Sequence, residues 1–184
     1  RMSANRTRFV SLLGGLTRKF SANPHDVIHR LADRVTGEAY VMPVPFFANT
    51  VEDRDVLFNQ RGVSDVFHLA KSADLLFVGI GTTERKASLV STGMIETSEI
   101  DDIRKSGAVG ELLGHFFDDR GQPVETTLSN RTFTLGRDEL RNRRTVAVAA
   151  GKGKTKAIRS VLESRYLSGL ITDERTARLL TGAD

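Results

Sequence analysis

Residues 145–158 read TVAVAAGKGKTKAI: an apolar run, then lysines set among glycines, then a helical pattern. Glycine and lysine at the start of a helix suit an anion, because the first backbone N–H groups point outward and the helix dipole favours negative charge there. An ATP-binding loop has the pattern G-x-x-x-x-G-K-[ST], a length set by the need to wrap the β-phosphate. Gly153, Lys154 and Thr155 supply its tail, but its first glycine falls on Val148, inside the apolar run. The stretch LITDE resembles a metal-holding strand end, but Asp173 is explained as the cap of the last helix. A nucleotide loop is therefore rejected, and a smaller anion remains. Lys154 lies four residues before Ile158 and seven before Val161, on the apolar face of the following helix. Lys156 and Arg159 point away from that face. Spacing alone leaves two readings of Lys154: a ligand contact beside the helix start, or a lysine that reaches past the core to water.

The elements that must position this cluster alternate along the chain. FVSLL (residues 9–13) reads as a buried strand ending at Gly14 and Gly15. NPHDVIHRLADRV reads as a helix with Asn23 as cap, Pro24 at its first position and an apolar stripe of Val27, Ile28, Leu31, Ala32 and Val35. EAYVMPV reads as a strand broken by Pro43 and Pro45, VEDRDVLFNQ as a helix, and SDVFHLAKSA as a helix capped by Ser64. DLLFVGIG (residues 74–81) is the clearest strand, TSEIDDIRKS a short helix, and GAVGELLGHFFD is ambiguous. TVAVAA, KTKAIRSVLES, GLITD and DERTARLL give strand, helix, strand, helix. Apolar strands without polar alternation, separated by helices, predict an α/β fold: a Rossmann-like, mostly parallel sheet with helices on both faces. DLLFVGIG, TVAVAA and GLIT are expected as adjacent central strands. Ligands bind such sheets outside the carboxyl ends of the strands. That draws in Gly79, Gly81, Thr82 and Thr83 of GIGTT, and Gly151 and Gly153 of AAGKGKT, where glycine lets backbone approach a ligand.

Composition sets the outer limits. The chain has 184 residues, 39% hydrophobic, enough for one globular domain with its own core. It has no cysteine, which excludes disulfides and thiolate metal sites and fits a reducing cytoplasm. The four histidines show no ligand spacing, so no metal or other cofactor is expected. No apolar run is long enough to span a membrane, and no signal-peptide pattern opens the chain. The net charge of +4 is concentrated in residues 1–19, 137–144 and 152–159, without interleaved stacking aromatics, so the first two clusters read as solvated surface. The opening RMSANRTRF runs almost at once into a strand and reads as a fragment of something longer.

LLGGLTRKFSANPHDVIHRLA, SADLLFVGIGTT, GAVGELLGHFFDDRGQPV, VAVAAGKGKTKAI and GLITDERTARLL, in that order, resemble the sugar-binding domain of SorC-type transcriptional regulators, the sorbitol-operon family. The resemblance spans nearly the whole chain. It implies a fold similar to glucosamine-phosphate deaminase and ribose-phosphate isomerase, used for sensing and not catalysis. It assigns residues 1–184 to an effector domain that lacks its first strand and loop and an upstream helix-turn-helix. The implied effector is a small sugar, polyol or sugar phosphate; DNA would be met only through the missing helix-turn-helix, and the domain is expected to form a homo-oligomer. The family pattern Gly-Gly-x-x-Lys-x-x-Ala-Ile falls on residues 150–158, with Ala150 in place of the first glycine and Lys154 on the ligand lysine. Glu111 falls near a position whose acid meets ligand hydroxyls, and Asn23 where some members place a contacting amide, with His25 beside it. Leu13 stands where some phosphate-sensing members carry arginine. The enzymatic alternative, an isomerase- or deaminase-like activity, would draw on Glu111, Asp118 and His115. VMPVPFF reads either as core or as a partly exposed subunit contact.

Overall fold

A computed structural model describes residues 7–16 and 27–182; Asn23, Pro24 and His25 lie outside the described residues. The chain divides into two compact units, one of Arg1–Ala73 with Arg131–Leu135, the other of Asp74–Asn130 with Gly136–Asp184.

In the first unit, strand β1 (Arg8–Leu16) pairs in parallel with β2 (Glu38–Pro45) through helix α1 (Ile28–Val35). Helices α2 (Val51–Phe58) and α3 (Arg61–Lys71) follow. Pro43 does not break β2; the strand runs past it and ends at Pro45, and its register with β1 becomes irregular over this stretch. A bulged stretch has fewer ladder bonds for proline to forfeit. Gly14 is required at this place, since a Cβ on it would lie 2.0 Å from the Pro45 carbonyl oxygen. Met42, Val44, Phe46 and Phe47 are buried, so VMPVPFF is core strand and turn, with only Val41 among its aliphatic residues exposed. The stripe expected on α1 is narrower: Ile28 and Ala32 are buried, whereas Val27 and Leu31 face outward. Ser64 does not cap α3. The helix begins three residues earlier, after Gln60, and the Ser64 hydroxyl donates to the Arg61 carbonyl.

The second unit holds the strand ends of interest. Strands β3 (Leu76–Val78), β8 (Thr145–Val148) and β9 (Gly169–Ile171) form a parallel sheet in the order β3–β8–β9, as the apolar runs predict. Leu76, Val78 and Ala147 lie on its buried face, while Phe77, Val148 and Ile171 on the other face are exposed. Residues 74–81 are not one strand. After Val78 the chain leaves the sheet, and β4 (Gly81–Thr82) joins an antiparallel ribbon with β5 (Gly110–Leu112), β6 (His115–Phe117) and β7 (Pro123–Val124). The ambiguous GAVGELLGHFFD is thus the β5–β6 hairpin, closed by Leu113 and Gly114, both with positive φ (52° and 77°), the pairing a two-residue turn needs. Helices α4 (Ser88–Ser91) and α5 (Thr97–Lys105) lie between β4 and β5, with α5 started by a Glu96–Glu99 capping box. Helix α6 (Arg137–Arg141) precedes β8, α7 (Thr155–Glu163) joins β8 to β9, and α8 (Glu174–Thr181) ends the unit. Asp173 caps α8 as expected: its carboxylate accepts the Thr176 N–H at 2.6 Å, which holds the acid below its ordinary range.

Candidate functional site

The turn after β8 is built by backbone first. Gly151 has φ 114°, open only to glycine, and its N–H donates to the Thr176 hydroxyl at 2.8 Å. Residues Lys152–Lys154 then make one tight helical turn into α7, closed by the Lys154 N–H on the Gly151 carbonyl. Ala157, Ile158 and Val161 bury the inward face of α7. Lys154 is half-buried, and its Nζ donates to the Ile80 carbonyl at 3.0 Å, just beyond the end of β3. Lys152 and Lys156 are exposed.

Glu111 comes from the ribbon, opposite Gly81 in the β4–β5 pair. It is only 8% exposed. One oxygen, Oε1, accepts the Gly114 N–H at 2.6 Å, which the hairpin turn aims back at it. The other lies against Gly81, where a Cβ would come within 2.2 Å of Oε2, so glycine at this position leaves room for the acid. Burial pushes the carboxyl up from 4.5 to about 7, while the Gly114 N–H and the Lys154 charge pull it back. A buried acid that titrates near neutrality, close to a lysine at the end of a parallel sheet, has the features of a polar-ligand site.

The remaining sequence-predicted residues divide. Thr82, Thr83 and Gly153 line a cavity of about 680 Å³, although the Thr83 hydroxyl is already committed to the Ala108 carbonyl at 2.8 Å. Gly79 is exposed, and a Cβ there would meet nothing within 4 Å. Sequence reasoning missed the two backbone groups that fix the site, the Ile80 carbonyl and the Gly114 N–H, because neither carries a residue-type signal. Just past β9, the Thr172 hydroxyl is buried and, among the described residues, has no hydrogen-bond partner.

The arrangement does not assemble an acid–base pair from Glu111, Asp118 and His115. His115 pairs with Leu112, one place along from Glu111, so the two side chains leave opposite faces of the ribbon. The Asp118 carboxylate accepts the Arg120 and Gln122 N–H groups and holds the turn into β7. Among the described residues, no cluster of histidines and carboxylates could hold a metal ion.

An α/β unit with a polar-ligand site at its parallel strand ends defines a small-molecule-binding domain. The sequence matches, over residues 1–181, the family described as "Putative sugar-binding domain", and the chain belongs to that family. It is 57% identical over 182 residues to the erythritol catabolism regulatory protein EryD of Brucella abortus, covering 99% of this chain and 58% of that protein. It is similar in structure to the full-length sorbitol operon regulator SorC of Klebsiella pneumoniae (TM-score 0.85, 24% identity), covering 98% of this chain and 59% of that one. A structure described as "Putative Sugar-Binding Domain of Transcriptional Repressor from Vibrio fischeri" superimposes with TM-score 0.84 at 25% identity, covering 98% of this chain and 71% of that one. The chain thus spans a little under three fifths of the Brucella regulator (58%). All three relatives are named as transcriptional regulators or parts of them, not enzymes. Among the described residues no helix is long and apolar enough to cross a membrane.

Proposed function

We propose that this chain is the effector-sensing domain of a longer cytoplasmic regulator, in which a sugar, polyol or sugar phosphate binds at the strand ends and alters operator binding by a separate helix-turn-helix. The observation that carries this reading is the Glu111–Lys154 pair. Lys154 spends one of its three N–H donors on the Ile80 carbonyl, leaving two for ligand hydroxyls or a phosphate. Glu111, half ionised near pH 7, can accept hydroxyls as a carboxylate or donate one proton as an acid. Gly151 and Gly153 keep the neighbouring backbone accessible, Gly81 leaves room for the Glu111 carboxylate, Gly79 extends that surface, and Thr82 and Thr83 border it. The similarity to a regulator named for erythritol catabolism supports a four-carbon polyol, or a derivative formed from it, as the first effector to test. The domain acts as a homo-oligomer, at least a dimer.

The test is a thermal-shift series with erythritol, longer polyols, the parent sugars and their phosphates. A ligand at a hundred times its Kd adds about 2.7 kcal/mol of stability, a rise of several degrees. If no polyol, sugar or phosphate ester raises the transition, the reading is wrong.

A further inference from the structure

The cavity next to this site has charged walls that the proposed function leaves unused. It lies on the other face of the β4–β5 ribbon. Gly81 turns toward Glu111, whereas at Gly110, the partner of Thr82, a Cβ would lie 2.9 Å from the Ala157 carbonyl of α7. The cavity opens between that face, the start of α7 and the loop after α5. Its walls carry three carboxylates, Glu84, Asp118 and Asp119, against two cations, Arg104 and Lys156. Asp118 has one oxygen on the Arg120 and Gln122 N–H groups, and among the described residues the one ion pair of Arg104 is a 3.9 Å contact with Asp101. Among the described residues, the side chains of Glu84, Asp119 and Lys156 have no ion pair or hydrogen bond. Gly107, at φ 87°, and Gly153 both line the cavity, and a Cβ on either would meet nothing within 4 Å. The backbone is therefore bare at two points of a space of ligand size.

We infer that this cavity is a second ligand site, distinct from the Glu111–Lys154 pair, and that it takes an uncharged polyhydroxylated molecule. Carboxylates accept hydroxyl protons, and lysine and arginine donate to hydroxyl oxygens, so walls of both signs match a ligand whose every group does both. An excess of carboxylates opposes a phosphate. No aromatic side chain lines the space, so a nucleobase has nothing to stack on. The site is coupled to the first one through a short piece of chain: Gly153 and Lys156 line the cavity, and Lys154 stands between them. An occupant that orders that turn also orders the Lys154 ammonium. The inference rests on the reading of the chain as a polyol sensor; the two sites share Thr82, Thr83 and Gly153 at their border, and the cavity adds Glu84, Arg104, Asp119 and Lys156, which that reading does not use.

The test is an amide-resolved NMR titration of the chain with erythritol, with inorganic phosphate as the anionic control. Saturable shifts are expected at Gly107, Gly153 and Lys156 as well as at Gly81 and Gly114. Asp119→Asn and Lys156→Met should each weaken the Gly107 response by about tenfold, one charge-assisted hydrogen bond's worth. Lys154→Met should abolish the Gly81 response and leave the Gly107 response saturable. Erythritol shifts confined to Gly81 and Gly114 overturn the second site while leaving the sensor reading intact. So does a Gly107 response that Asp119→Asn and Lys156→Met leave unchanged. A cavity that responds to phosphate and not to erythritol overturns the assigned ligand class. If the Gly107 response behaves as expected and Lys154→Met leaves the Gly81 response unchanged, the cavity stands and the first site falls.

Discussion

The parallel sheet β3–β8–β9 and the antiparallel ribbon β4–β7 serve the proposed site by opposite means. The sheet contributes ends: the turn after β8 with Gly151 and Lys154, and the Ile80 carbonyl beyond β3. Its buried side chains are mostly apolar, and none of the sheet residues carries charge. The ribbon contributes the middle of a strand, the buried Glu111, and with it the cost of desolvating a carboxyl. The sheet therefore acts as a frame, and the ribbon carries the polarity that responds to its surroundings. Mutations in the frame should read out as stability, and mutations in the ribbon as pH dependence and ligand response.

The largest effect separates them on the frame side. Ile158 on α7 is fully buried, and Ile158→Ala should cost about 2–5 kcal/mol in urea unfolding, the sum of lost burial and the cavity left behind. Leu162→Ala, at a half-buried position of the same helix, should cost clearly less. Equal costs at the two positions would break the account of α7 as a one-sided packing helix.

Glu111 gives the next effect, with a definite sign. Its folded-state carboxyl titrates near 7 and its unfolded one near 4.5, so the folded chain holds the proton more tightly. That contribution is fully present below pH 4.5 and is lost as pH rises toward and through 7. Between pH 4.5 and 8 the wild type should lose about 2–4 kcal/mol relative to Glu111→Gln. Parallel pH profiles for the two proteins would remove the buried-acid account. A smaller effect sharpens the boundary between frame and site. Thr83→Val should cost roughly 1–2 kcal/mol at any pH, because the Ala108 carbonyl loses its donor in a buried position. A pH-dependent cost at Thr83 would mean that it belongs to the site's ionisation and not to the fold.

The same contrast explains what the sequence could disclose. Apolar runs with helices between them betray a parallel sheet, so β3, β8 and β9 as neighbouring strands were legible from residues such as Leu76, Val78 and Ala147. The Lys154 face was legible from its spacing to Ile158 and Val161. The ribbon was not, because strands of two or three residues are too short for alternation to register. The break in residues 74–81 comes with the pairing of Gly81 to Glu111, a partner thirty residues on that no local pattern shows. Ser64 looked like a cap because serine is a common one; the helix instead starts after Gln60, which supplies no side-chain cap. Pro43 looked like a breaker until the β1 register made room for it. The cavity walls come from segments far apart in sequence, so no local pattern announces them.

The central claim is that Lys154, and not the neighbouring Lys152, meets the effector beside Glu111 through its charge. It is tested most directly by titration calorimetry of the tightest polyol or polyol phosphate against wild type, Lys154→Met and Lys152→Met. The account predicts that Lys154→Met loses about 1.5–3 kcal/mol, one to two decades in Kd, while its unfolding midpoint moves little. Lys152→Met, at an exposed position, should bind like wild type. Equal affinities for wild type and Lys154→Met would contradict the account.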